Sequence, residues 1–137
     1  MKQGQSQEDY LREIYALSEE SADGSVSSVD VAERLLVSKA AVSKMLKKLN
    51  EEGLVRMSPY SRMEFSKKGR IRAEKVIYKH RVIEVFLVEV LKVDKRDMHK
   101  EAHLLEHSFS DKTIKRLAEF LDNPEICPCG HKIPKIR

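Results

Sequence analysis

The chain has no tryptophan, few aromatics (6%) and only two cysteines in 137 residues. So little aromatic content beside 35% charged residues predicts a soluble, helix-rich protein with a modest core. No run approaches the roughly 18 apolar residues of a membrane-spanning helix, so no membrane partner is expected. The opening stretch MKQGQSQEDY lacks the apolar segment of a secretory signal. With two cysteines and no export signal, the expected location is the reducing cytoplasm. Internal repeats and low-complexity tracts are also missing. The length suits one compact domain, or two small lobes that share a helix.

Charge is present in quantity and unevenly spread. The net value is only +4, yet residues 34–81 hold 14 Lys or Arg against four Glu. The remainder carries 12 basic and 18 acidic residues. An excess of ten positive charges in the middle of the chain points to a polyanionic partner.

Apolar spacing predicts a helix over QEDYLREIYALSEE, ended by DGS. In SSVDVAERLLV, Ser27 and Asp30 have the spacing of a capping box. Ser38 can cap a further helix, SKAAVSKMLKKLNEEGLV, which Gly53 would end. The pieces LVRMS and RMEFS, joined by PYS, read as a β-hairpin. From Ser66, SKKGRIRAEKVIYKHRVIEVFLVEVLKV reads as one long helix. Its segment VIEVFLVEVL is apolar almost all round, so it needs cover on two faces, and a homodimer seam would supply it. Asp94 begins another helix, SDKTIKRLAEFLD reads as a last one, and NPEICPCGHKIPKIR as an irregular tail.

A short helix, a tight turn, a second helix with a polar start and then a hairpin is the order of a winged helix-turn-helix. In that arrangement Val31, Ala32 and Leu35 hold the second helix in place. Ser38, Lys39, Ala40, Ser43 and Lys44 lie at its exposed start, where short and polar side chains can meet base edges in the major groove. Lys47 and Lys48 can reach phosphate, and Tyr60 and Arg62 of the wing can touch backbone or minor groove. The expected partner is double-stranded DNA. A helical bundle with an incidental basic face is the plainer alternative.

Three of the five histidines, His99, His103 and His107, fall four residues apart in MHKEAHLLEHSF. On a helix they share one face, with Glu106 beside His103 and His107. His103, Glu106 and His107 can close on one ion, His99 can serve another, and His80 with Glu84 repeats the spacing on the preceding helix. Asp9 on the first helix is a further candidate. Imidazole nitrogen with carboxylate oxygen suits Mn, Fe, Zn or Co. The same letters HLLEH match the H-x-x-E-H pattern of inverted zinc peptidases, in which Glu106 would activate water. Only 30 residues follow His107, too few for a further ligand and a substrate cleft, and a peptidase leaves the basic helix-turn-helix unexplained. Neither catalysis nor a small organic substrate is therefore expected. A helix-turn-helix regulator that senses an organic ligand is the other alternative.

Taken together, EDYLREIY, VSKAAVSKMLKKLNEEGLV, KHRVIEVFL, EAHLLEHSFSD and CPCGHKIP resemble the diphtheria-toxin-repressor and manganese-repressor family of metal-activated transcription regulators. The resemblance runs nearly end to end. It implies a mainly α fold with a small β-hairpin wing: a winged helix-turn-helix DNA-binding domain over residues 1–72 and a helical metal-binding and dimerisation domain over residues 73–137. It implies a primary metal site of Asp9, His103, Glu106 and His107, and an ancillary site involving His80, Glu84 and His99. The cofactor would be a divalent transition metal, Mn2+ or Fe2+, with Zn2+ or Co2+ possible in vitro. The implied assembly is a homodimer on a palindromic operator, repressing metal-uptake or homeostasis genes.

Departures from the family pattern carry chemistry. Asp9 stands where iron sensors place Met, as in manganese sensors, and His103 stands where those two groups place Cys or Glu. Arg12 stands where manganese sensors place a second carboxylate, which argues against their two-metal cluster. The SH3-like third domain of longer members has no counterpart in these residues. Without Met and Cys the primary donors are harder, which favours Mn over Fe, although Zn binds such sets more tightly than either. Cys127, Cys129 and His131 allow a zinc knuckle, but the spacing favours a turn that packs the tail.

Overall fold

Ser6 opens the first helix with a reciprocal pair of bonds. Its hydroxyl accepts from the Asp9 N–H, and the Asp9 carboxylate accepts from the Ser6 N–H at 3.1 Å. Helix α1 then covers Gln7–Glu20 in the computed structural model, which describes residues 6–136. Residues 1–5, part of the stretch inspected for a secretory signal, lie outside the described residues, as does residue 137. The chain divides after Glu74 into two units, with a helix running through the boundary.

The first unit continues with β1 (Val26–Ser27), α2 (Ser28–Leu35), α3 (Lys39–Glu51), β2 (Val55–Ser58) and β3 (Arg62–Phe65). Helix α1 packs on α2, α2 on α3, and α3 on β2. Leu11 and Ile14 of α1, Val31 of α2, Val42, Leu46 and Leu49 of α3, and Val55 and Met63 of the sheet are buried. Each such side chain contributes roughly 1.5–3 kcal/mol by leaving water. Helix α3 closes where Gly53 turns left-handed at φ +76°, letting the N–H groups of Gly53 and Leu54 return to the Asn50 and Leu49 carbonyls.

The wing differs from a simple hairpin. Strands β2 and β3 pair antiparallel as expected, and β1 adds a third strand on the other side of β3, with Val26 opposite Met63. A two-residue strand is too short to show alternation, which is why the sequence reads there only as a helix start. Ser27 does cap α2, but its hydroxyl accepts from the Val29 N–H, and no capping box with Asp30 forms.

Helix α4 (Lys67–Val85) begins over the first unit. The Ser66 hydroxyl donates to the Gly53 carbonyl at 2.6 Å and accepts from the Gly69 N–H at 3.0 Å. Gly69 is required, because a Cβ there would sit 1.8 Å from the Leu54 carbonyl oxygen.

The second unit holds the rest of α4, then α5 (Lys95–Glu106), α6 (Asp111–Phe120) and the tail. The expected single helix from Ser66 runs without a break to Val90, but it is not α throughout: Phe86–Val90 form a π-turn, closed by the Leu91 N–H on the Phe86 carbonyl at 3.2 Å. One extra residue in a turn rotates the succeeding side chains by about 100°. Leu87 stays buried, while Val90 and Leu91 are exposed. Much of the apolar surface read as needing a second subunit is covered inside the unit. Val82 and Val85 pack with Ala118, Cys127 and Ile133, and Ile83 and Leu87 pack with Ala102 and Ile114. The tail makes a turn in which the Cys127 N–H meets the His131 carbonyl at 2.9 Å, with Cys127 buried and Cys129 exposed as free thiols.

Candidate metal centre

Helix α5 is capped by Asp94, whose carboxylate accepts from the Arg96 N–H at 2.8 Å. Met98, Ala102 and Glu106 recur every fourth residue and form its buried stripe. His99, His103 and His107 each come one residue later and so run along the adjacent flank. The His103 and His107 rings stand edge to face with centroids 5.4 Å apart. The expected histidine stripe is thus present, half-buried at His103 and exposed at His107.

His80 and Glu84, one turn apart on α4, meet His99 of α5. His80 Nε2 lies 3.1 Å from Glu84 Oε2, His99 Nδ1 lies 2.9 Å from the same oxygen, and the two imidazole nitrogens are 3.3 Å apart. One donor atom from each of the three falls within 4.8 Å of the others. Ligands about 2.1 Å from a common ion are at most about 4.2 Å apart, so small rotamer changes would close this set on one cation. Two nitrogens and a carboxylate fit a divalent transition metal of intermediate hardness.

Glu106 carries a contact that spacing alone did not reveal. Its Oε1 lies 2.7 Å from His80 Nδ1, and both residues are 1% exposed. The signal that would have found it is its place on the Met98–Ala102 stripe, since a carboxylate on a buried stripe needs a partner. Burial alone pushes the His80 pKa down, but the hydrogen bonds that its ring donates to the Glu106 and Glu84 carboxylates outweigh it and leave the pKa raised. Burial likewise pushes Glu84 up, and the bonds from His80 and His99 overcome this and hold it at about 2. With a cation on Nε2, the His80 Nδ1–H would still donate to Glu106, which fixes the tautomer and ring orientation.

Asp9 lies in the first unit and is buried. Besides the Ser6 N–H, its carboxylate accepts from Arg12 at 3.3 Å. Also in the first unit, Ser38, Lys39, Ala40, Ser43, Lys44, Lys47 and Lys48 are all exposed on or at the start of α3. Ser38 is also the N-cap, accepting from the Ala41 N–H at 3.0 Å. Tyr60 is 95% exposed at the wing tip. Arg62 is different: its guanidinium donates to the Ser25 hydroxyl at 2.8 Å and the Ser25 carbonyl at 3.0 Å. In this structure it fastens the segment before β1 to β3.

A winged helix with an exposed basic helix, in one chain with an imidazole–carboxylate cluster, is the build of a metal-responsive DNA-binding regulator. The chain belongs to the iron-dependent repressor family. Residues 2–63 match the model of that family's N-terminal DNA-binding domain, and residues 66–135 match its metal-binding and dimerisation domain. An uncharacterized HTH-type transcriptional regulator of Methanocaldococcus jannaschii is 37% identical over 118 residues, 86% of this chain and 94% of that one. The diphtheria toxin repressor of Corynebacterium glutamicum is 39% identical over 126 residues, 91% of this chain and 54% of that one. The solved structure of the manganese regulator SloR superposes with a TM-score of 0.83 at 43% identity, over 97% of this chain and 61% of that one. The chain therefore spans little more than half of the corynebacterial repressor, and nearly all of the archaeal relative.

Proposed function

We propose that this chain is a metal-dependent, DNA-binding transcriptional repressor of metal-uptake or homeostasis genes, with Mn2+ or Fe2+ as co-repressor. The observation that carries the proposal is the His80–Glu84–His99 donor set, converged within 4.8 Å on the second unit of a chain whose first unit is a basic winged helix. In this reading residues 1–72 bind DNA and residues 73–137 bind metal and dimerise. Exposed Val90, Leu91, Leu104 and Phe120 of the second unit supply apolar surface for a second copy.

Asp9 of the first unit and His103, Glu106 and His107 of the second are assigned to a primary ion. His80, Glu84 and His99 are assigned to an ancillary one. An ion supplies a strong cross-link among N and O donors. Ligands contributed by both units would tie the two together, and with them the spacing of two recognition helices over successive half-sites of a palindrome. Ser38, Lys39, Ala40, Ser43 and Lys44 would face base edges, while Lys47, Lys48, Tyr60 and Arg62 would face the backbone or minor groove. Arg62 would first have to exchange its bonds to Ser25.

The H-x-x-E-H peptidase alternative has less behind it, since the family models and the relatives that the chain matches are those of repressors and transcriptional regulators. The deciding experiment is selection of a DNA site from random duplexes, followed by anaerobic fluorescence anisotropy with Mn(II), Fe(II), Co(II) and Zn(II) separately. At least one ion should tighten binding severalfold to about a hundredfold, a coupling of about 1–3 kcal/mol. Binding indifferent to every ion and to chelator, yet altered by a small organic ligand, would favour the organic-effector alternative.

A further inference from the structure

Arg12 sits one turn after Asp9 on α1 and is only 4% exposed. Its Nη1 donates to Asp9 Oδ1 at 3.3 Å, and its Nε donates to Glu13 Oε2 at 3.3 Å. Asp9 Oδ2 accepts from the Ser6 N–H at 3.1 Å. Arg34 of α2 approaches Glu13 Oε1 at 3.7 Å. Both oxygens of Asp9 are therefore already engaged by donors from its own helix and cap. A guanidinium keeps its proton at any pH a protein experiences, so this cation cannot be removed by deprotonation.

We propose that Arg12 is a resident cation on Asp9 that a divalent ion must displace, and that it thereby raises the metal concentration at which the chain responds. The inference rests on the assignment of Asp9 as a metal ligand. An ion about 2.1 Å from a carboxylate oxygen lies close to any group bonded to that oxygen. A guanidinium nitrogen 3.3 Å from Oδ1 would then be held near a dication in partly dehydrated surroundings, where like charges repel far more than in water. The ion pair also reduces the charge Asp9 can offer. Glu13 gives the guanidinium a second acceptor to move onto, so the ligand is guarded rather than closed. The consequence is unusual for a residue beside a binding site: removing its charge should strengthen binding, which a general loss of structure does not do.

The test uses Mn(II) alone as probe on the full chain, with free Mn(II) counted by its EPR signal. Arg12→Gln should bind Mn(II) about tenfold more tightly, within the 5- to 150-fold range usual for coupled sites. Arg12→Lys, which keeps the charge, should stay near the unsubstituted chain, and Asp9→Asn should erase the gain. If the unsubstituted chain binds in an Asp9-dependent way and Arg12→Gln is equal or weaker, the inference is overturned while the proposed function stands. If binding never depends on Asp9, the ligand assignment fails and takes the inference with it. Should Arg12→Gln not fold, the unsubstituted chain still decides the matter. Diamagnetic Zn(II) should shift the Arg12 side-chain N–H resonances on binding, and resonances that do not move contradict displacement.

Discussion

His80 is a residue with two uses for the same nitrogen. In the metal-free chain a protonated His80 can donate to Glu84 at 3.1 Å and to Glu106 at 2.7 Å, yet its Nε2 must lose that proton before it can hold an ion. Its folded-state pKa lies above the ordinary 6.5, so its contribution to stability is complete below that value and fades as pH rises through the raised one. Glu84, held at about 2, contributes fully above its ordinary 4.5 and loses that contribution as pH falls toward 2. The metal-free protein should therefore be most stable between about pH 4.5 and 6.5 as far as this cluster is concerned. Above that window metal affinity should climb while metal-free stability falls. Thermal melts with and without Zn(II) from pH 6 to 8 check this, and a metal-free melting temperature that rises across that range would count against it. At this scale the sequence was readable where spacing on one helix decides the outcome, as for His99, His103 and His107. The Glu106–His80 bond, which depends on how α5 packs against α4, was not.

Elements were legible wherever cap and period agree. Ser38, Asp94 and Ser110 start their helices as N-caps, and Gly53 ends α3. Two features escaped. The strand Val26–Ser27 is defined by its partner β3 and carries no pattern of its own. The π-turn at Phe86–Val90 inserts a residue into a run so apolar that every register looks alike. Gly69 bears the sharpest prediction for an element, because the backbone of α4 meets the Leu54 carbonyl where a Cβ would have to go. Gly69→Ala should cost about 3 kcal/mol, since the obstacle is backbone and cannot rotate aside. Urea unfolding measures it, and a loss below about 1 kcal/mol would mean that the helix start yields easily.

For the whole molecule, the sequence carried the class of protein more clearly than its working state. Basic residues gather between positions 34 and 81, and the imidazole–carboxylate sets come after or at the end of them, so these two kinds of side chain separate along the chain, with Asp9 as the outlying carboxylate. What no periodicity contains is the joint action proposed for Asp9 with His103 and His107, because these residues belong to different units. In the proposed function, regulation depends on that joint action: ligands from both units would act on one ion so that the paired recognition helices match their site. The most direct measurement is Mn(II)-stimulated binding of a selected operator duplex by Asp9→Ala and His107→Ala, with oligomeric state and thermal unfolding recorded on the same samples. Both variants should remain folded and dimeric and lose the metal stimulation, leaving only weak, salt-sensitive binding. Either variant responding to Mn(II) as fully as the unsubstituted chain would contradict a shared ion.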